Sequence, residues 1–310
     1  MKIILAPMEG VVDYAMREIL TTSGQYDLCV TEFVRVVDQV YKPPFFHRIC
    51  PELRQGGKTR SGTPVRVQLL GQHPGWMAEN AAAAVALGSP GIDLNFGCPA
   101  KTVNRHRGGA VLLQEPETLY QIVKAVRDAV PGTSEVSVKM RLGYENTDLA
   151  VDCARAIEGA GADMLTIHAR TKVEGYRPPA HWHLIHDIRQ QVSLPIVANG
   201  DIWSRADAER CREVSGCDDI MIGRGALCLP NLVDVIRKDA APMTWPEVCN
   251  LLLTYAAFRR DAHGRGYLPS RIKQWFSYLK RQYPEAIPAF EKIKRLQQLD
   301  EITAMIRSCS

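Results

Sequence analysis

The stretch Gly91-Ile92-Asp93-Leu94-Asn95-Phe96-Gly97-Cys98-Pro99 decides how the chain is read. Its first six residues have the length and apolar content of one buried strand. Gly97 and Pro99 end the run, because both punctuate regular structure. The loop that follows carries a cysteine and several basic residues.

Working outward, the same pattern recurs across residues 1–240. Seven further short apolar runs occupy 2–6, 27–33, 64–70, 136–142, 164–169, 195–199 and 219–223. Good helix formers fill several of the intervals, at 77–87, 116–130, 149–159 and 205–214. Strand-then-helix units in series predict a parallel sheet. Eight strands in about 225 residues is the size of an α/β fold of the (β/α)8 TIM-barrel type. An open doubly wound sheet is the alternative, and it usually has fewer strands.

The pattern stops at Ala241-Pro242-Met243-Thr244-Trp245-Pro246. Two prolines mark a linker, and Thr244 is placed to cap a helix. Beyond it, apolar residues recur at helical spacing: Val248, Leu251, Leu252 and Tyr255, then Ile272, Trp275, Phe276 and Leu279, then Ile293, Leu296 and Leu299. The expected organisation is a barrel over residues 1–241 and an all-α helical bundle of three or four helices over 242–310.

The chain has 310 residues, 46% hydrophobic and 23% charged, which excludes disordered, collagen-like and coiled-coil classes. No apolar run approaches the ~18 residues of a membrane span, and the opening residues do not read as a signal peptide. Nine cysteines make an odd count without any C-x-x-C pair, which fits a reducing cytoplasm better than a disulfide framework or structural zinc. The net charge of +4 is unevenly spread. Residues 241–310 carry eleven Lys/Arg against six Asp/Glu, whereas the first 240 are nearly balanced. A solvated helical surface and a polyanionic partner explain that excess equally well.

In a barrel, strand C-termini open on one face, and ligands bind there. Cys98 lies at such an end. It reads either as a proton donor to a bound substrate or as a buried structural thiol. Lys101, Arg105, His106 and Arg107 follow it, as a solvated loop or, beside such a thiol, a contact to a phosphate backbone. Asn199-Gly200-Asp201 and Gly223-Arg224-Gly225 end the seventh and eighth runs, the usual phosphate loops of a barrel. Lys139 in the fifth run is costly to bury unless an anion or flavin meets it, and Gln68 in the third is a similar buried polar group. His181, His183 and His186 lack metal-site spacing and read as a surface loop entering a helix. In the tail, Arg271, Gln274 and Tyr278 share one helical face while Ile272, Trp275, Phe276 and Leu279 share another. Basic and aromatic groups together suit looped RNA, although an ordinary amphipathic helix has the same pattern.

Leu5-Ala6-Pro7-Met8-Glu9-Gly10, Val67-Gln68-Leu69-Leu70-Gly71, Asp93 through Pro99, Lys139-Met140-Arg141-Leu142-Gly143, His168-Ala169-Arg170-Thr171 and Asn199-Gly200-Asp201-Ile202 together resemble the bacterial tRNA-dihydrouridine synthases. Glu32-Phe33-Val34-Arg35-Val36 and Arg271-Ile272-Lys273-Gln274-Trp275 resemble their C subgroup, which acts on uridine 16 of the D loop.

The resemblance implies an FMN-bearing barrel and a helical tRNA-binding domain. NADPH, or NADH, would re-reduce the flavin. Hydride would pass to uridine C6, and Cys98 would protonate C5. Pro7, Met8 and Glu9 would line the flavin edge, Gln68 and Lys139 its ring system, and His168 the ring or phosphate. Asn199, Gly200, Asp201, Gly223 and Arg224 would hold the phosphate end. Asn95 would face the uridine, and Arg35, Tyr176, Arg271, Lys273 and Tyr278 would contact tRNA. No metal, membrane or stable protein partner is implied, and the expected form is a cytoplasmic monomer. The loop Asn104-Arg105-His106-Arg107-Gly108-Gly109-Ala110 departs from the smaller, Gly-rich residues of the family. A flavin-dependent small-molecule oxidoreductase resembling dihydroorotate dehydrogenase, and a tRNA-binding factor without catalysis, are the rival readings.

Overall fold

The computed structural model describes residues 1–258 and 267–309. Eight parallel strands close into a barrel in chain order: β1 Ile3–Leu5, β2 Leu28–Arg35, β3 Val65–Leu70, β4 Gly91–Phe96, β5 Glu135–Gly143, β6 Met164–Thr171, β7 Ile196–Asn199 and β8 Asp219–Ile222. All eight expected runs are strands. β2 and β6 each continue two residues past the expected end, to Arg35 and Thr171. Helices fill the intervals, including Pro74–Ala86, Pro116–Ala129, Ala150–Gly159 and Arg205–Ser215.

Strand alternation divides the side chains. The outward set, such as Ile3, Leu5, Val67, Ile92 and Leu94, joins the large core under the helices. Inside the barrel a separate apolar cluster forms from Ile4, Ala6, Leu28, Val30, Met164, Val197 and Met221. Those residues come from β1, β2, β6, β7 and β8 or their ends. The β3–β5 side of the lumen is polar instead, with Gln68, Asp93 and Ser137 fully buried. The same parity carries Asn95, Lys139, His168 and Asn199 to the upper rim of the lumen.

Among the described residues four helices follow the linker, at Trp245–Ala257, Tyr267–Leu279, Ala286–Ile293 and Leu299–Arg307. Thr244 opens the first with a capping box, its partner being Glu247. The tail helices are fastened to the barrel through buried polar contacts. Trp275 Nε1 donates to the Leu227 carbonyl at 3.0 Å, and Tyr267 OH donates to Asp13 Oδ2 at 2.7 Å. Arg259, Arg260 and Arg265, which contribute to the tail's basic excess, lie outside the described residues.

Candidate active site

A cavity of about 530 Å³ opens at the C-terminal ends of the strands. All eleven residues expected at a cofactor line it, together with Cys98, Asn95, Tyr176 and Tyr278. Arg35, Arg271 and Lys273 lie outside its lining. Arg35 lines a smaller neighbouring cavity. Arg271 stands beside the lip, where its charge bears on Glu9 and Glu32. It donates to Gln274 Oε1 at 3.0 Å, so the expected polar face of that helix forms. Ile272, Trp275, Phe276 and Leu279 are buried behind it.

Cys98 sits on the loop after β4, partly exposed to the cavity. Burial raises its pKa, and Glu9 adds to the rise; the Ala100 N–H and the charges of Arg141 and Arg35 pull it down without reversing it. The sulfur is therefore held as a thiol at neutral pH, as a proton donor requires. The loop folds tightly there. Gly109 has φ of +67°, and a Cβ on it would stand 2.9 Å from Cys98 Cβ, so only glycine fits.

A chain of buried amides holds that loop. Asn95 Oδ1 accepts from the backbone N–H groups of Gly97 and Cys98 at 2.9 and 3.0 Å. Asn95 Nδ2 donates to Gln68 Oε1 at 2.8 Å, and Gln68 Nε2 donates to Asp93 Oδ2 at 2.7 Å. Ser137 Oγ closes the chain on Asp93 Oδ1 at 2.6 Å. An ionised carboxylate only accepts and a backbone N–H only donates, so both ends impose the same sense on the two amides. Asn95 and Gln68 are thus partly committed, although both still line the cavity.

Next to this chain, from β5 round to β8, the cavity is cationic. Among the described residues Lys139 Nζ has only the Asn199 oxygen, at 3.3 Å, and burial followed by Arg141 lowers its pKa to about 8. His168 is held well below the usual imidazole range by burial and then by Arg141, Lys139, Arg170 and Arg224. Its buried Nδ1 has no partner among the described residues. Asp201 does not offer a free carboxylate to that region: it pairs with Arg170 and, at 3.1 Å, with Arg224. It fixes the two guanidiniums. Asn199 likewise ties β7 to β8, donating to the Met221 carbonyl at 2.8 Å. Gly225 packs against the Ile202 carbonyl, where a Cβ would fall at 2.1 Å.

Ala6, Pro7, Met8 and Met221 supply an apolar wall. A flat, anionic ligand such as FMN matches this arrangement. The wall suits a ring, and the unpartnered imidazole nitrogen, Lys139 and Arg224 call for polar and negative groups. Glu9 at the lip is raised to about 7 by burial and then Glu32, with Arg271 acting against the rise.

Arg141 was not among the expected site residues. Its guanidinium is nearly buried, donates to the Gly97, Thr171 and Gly175 carbonyls, and lies 5.3 Å from the Tyr176 ring centroid. The signal was available, since Arg141 is two residues from Lys139 on one strand and shares its face. Trp203 was also missed; Arg224 and Arg281 both pack on its ring. Among the described residues no group of three His, Cys, Asp or Glu could hold a metal ion. His181 pairs with Glu174 Oε1 at 2.8 Å, just ahead of the helix Trp182–Arg189. No described helix is long and apolar enough to cross a membrane.

The closed barrel is similar to those of solved enzyme structures. The old yellow enzyme homologue of Zymomonas mobilis superimposes with a TM-score of 0.57 at 13% identity, over 86% of this chain and 94% of that one. At such identity the likeness speaks for the fold alone. Sequence similarity goes further. The tRNA-dihydrouridine(16) synthase of Shewanella oneidensis is 56% identical, over 99% of this chain and 97% of the relative. That of Escherichia coli K12 is 51% identical, over 99% and 98%. The family model described as dihydrouridine synthase (Dus) matches residues 4–303. With that model spanning barrel and tail alike, and half the positions shared end to end with full-length relatives, the chain belongs to the dihydrouridine synthase family, flavin-dependent enzymes that reduce uridine to dihydrouridine in tRNA.

Proposed function

We propose that this chain reduces uridine 16 of tRNA to 5,6-dihydrouridine, with Cys98 as the proton donor to C5. The observation that carries the reading is a partly exposed thiol, its pKa pushed up by burial, that lines the same cavity as a set of cations and amides at one barrel mouth. FMN, when bound there and reduced by NADPH or NADH, supplies the hydride that uridine C6 accepts.

The chain's own residues do the rest. Lys139, His168 and the amides of Gln68 and Asn95 present donors to the ring system and to the pyrimidine carbonyls. Arg224, oriented by Asp201, takes the phosphate with the backbone of Asn199, Gly200 and Gly223. Pro7, Met8 and Glu9 border the ring. The Cys98 S–H bond breaks as the C5–H bond forms. The thiolate left behind is met by the Ala100 N–H and by Arg141, and solvent returns its proton. Arg35, Tyr176, Arg271, Lys273 and Tyr278 steer the tRNA so that the target base leaves its stack and enters the mouth. In this reading residues 242–310 form the tRNA-binding unit on the catalytic barrel, and the protein works in the cytoplasm as a monomer.

Cys98→Ala tests the assignment. Turnover on tRNA is expected to fall about 100- to 1,000-fold, the usual range for one general acid, with flavin content unchanged. Full activity in that variant would remove the thiol from the mechanism. Mass-spectrometric mapping of tRNA from cells lacking the protein should show uridine retained at position 16, and loss of dihydrouridine elsewhere instead would refute the position.

A further inference from the structure

A second cavity, of about 260 Å³, lies beside the first on the same end of the barrel. Val37, half exposed, and the buried Val36, Leu70 and Val103 give it an apolar lining, and Arg35, Arg105 and His106 add basic groups. Its wall is the loop that carries the reactive thiol. The Ala110 N–H donates to the Cys98 carbonyl at 3.1 Å, and Gly108 packs against Leu70. Arg107, the remaining basic residue, is committed to Glu115 through two 2.7 Å bonds. Among the described residues, the side chains of Arg35, Arg105 and His106 make no hydrogen bond or ion pair.

We infer that this cavity receives one nucleotide of the tRNA strand adjacent to the uridine being reduced, its base against the apolar lining and its phosphate between Arg35 and Arg105. The inference rests on the proposed tRNA-reductase reading. Three features favour RNA as the occupant. First, a base can lie in the main cavity only if it is drawn out of its stack, and its neighbours then lose stacking surface as well. An apolar recess next door replaces that surface. Second, successive nucleotides carry a phosphate each, so a strand threaded into the main cavity brings an anion within reach of the rim. Third, the recess shares one short loop with Cys98. Occupying it would hold the loop and the target base in register, which makes Arg105 and His106 positioning residues.

The test uses the FMN-loaded full chain and intact tRNA, comparing wild type with the double variant Arg105→Ser, His106→Ser. KM for tRNA is expected to rise about 5- to 20-fold, with kcat altered less. The slope of log affinity against log salt should become shallower by about 0.7 for each phosphate that the variant no longer neutralises. Flavin content and tRNA-independent NADPH oxidation check that the barrel is intact. A second variant, Val37→Asp, places an anion at the mouth of the recess and should raise KM in the same direction. Unchanged KM and salt slope in both variants would overturn the inference while wild-type turnover kept the enzymatic reading intact. Wild type that reduces no tRNA would instead sink that reading. Inorganic phosphate that protects Arg105 from chemical modification without competing with tRNA would mark a site for a free anion and equally overturn the proposal.

Discussion

The two sides of the barrel mouth treat positive charge differently. Along the ends of β5–β8 the cations are held in place: Asp201 pairs with Arg170 and Arg224, and Lys139 leans on the Asn199 oxygen at 3.3 Å. On the β2–β4 side, Arg35, Arg105 and His106 have no such partners among the described residues. A locked cation loses little freedom when it meets a small rigid ligand, which favours tight binding of a cofactor. A free arginine adapts to a moving phosphate backbone and attracts it at range, at the cost of salt sensitivity. One face therefore combines a pre-formed cofactor pocket with an adaptable nucleic-acid rim.

The sharpest way to break this comparison is at Lys139. Lys139→Met should weaken FMN binding about 30- to 100-fold, measured by fluorescence titration of the apoprotein. The pH dependence has a definite sign. A flavin-ring acceptor that takes a hydrogen bond from the Lys139 ammonium raises its pKa, so the complex holds the proton more firmly than the free site does. Wild-type affinity should then fall as pH rises through about 8, where the free lysine loses its charge. That step should vanish in the variant; its persistence would assign the titration elsewhere.

The amide chain offers a test between the two sides. Asp93→Ala removes the group that sets the sense of Gln68 and Asn95, and kcat is expected to fall about 10-fold with KM for tRNA little changed. Asp93→Asn retains an acceptor and should recover most of the loss. Equal damage in both would show that the carboxylate does something other than orient the amides.

The smallest effect is expected on the rim. Arg271→Ala with Lys273→Ala should weaken tRNA binding about 5- to 10-fold, as removal of two phosphate-neutralising cations does, and leave FMN affinity unaltered. A change in FMN affinity of similar size would erase the distinction between the sides. Point variants serve better here than removal of the tail. Trp275, Tyr255 and Tyr267 are built into the barrel through Leu227 and Asp13, and deleting them would strip buried surface from the barrel itself.

Much of this was legible in the chain. The strand rhythm placed all eight strands, because each run is too short for a helix and is bounded by turn residues. Thr244 was legible as a cap because it stands beside the linker prolines, just before the helical spacing begins; its partner Glu247, which accepts from the Thr244 N–H, appeared only in the structure. The cavity lining followed from topology, since a closed parallel barrel delivers every strand end to one face. Partner choice was not legible. Asp201 read as part of a phosphate site, yet its carboxylate faces Arg170 and Arg224; Asn95 read as a base contact, yet its oxygen is spent on the loop that carries Cys98.

The sequence by itself determined the alternation of short apolar runs with helix formers, and hence which residues sit at strand ends. Periodicity is local, so it survives without knowledge of neighbours. Only the tertiary structure decided which of those residues are spent on each other and which remain free for a ligand. That outcome depends on hydrogen-bond geometry between strands far apart in the chain, where a carboxylate on β4 dictates the direction of an amide on β3 and, through it, the seat of a thiol.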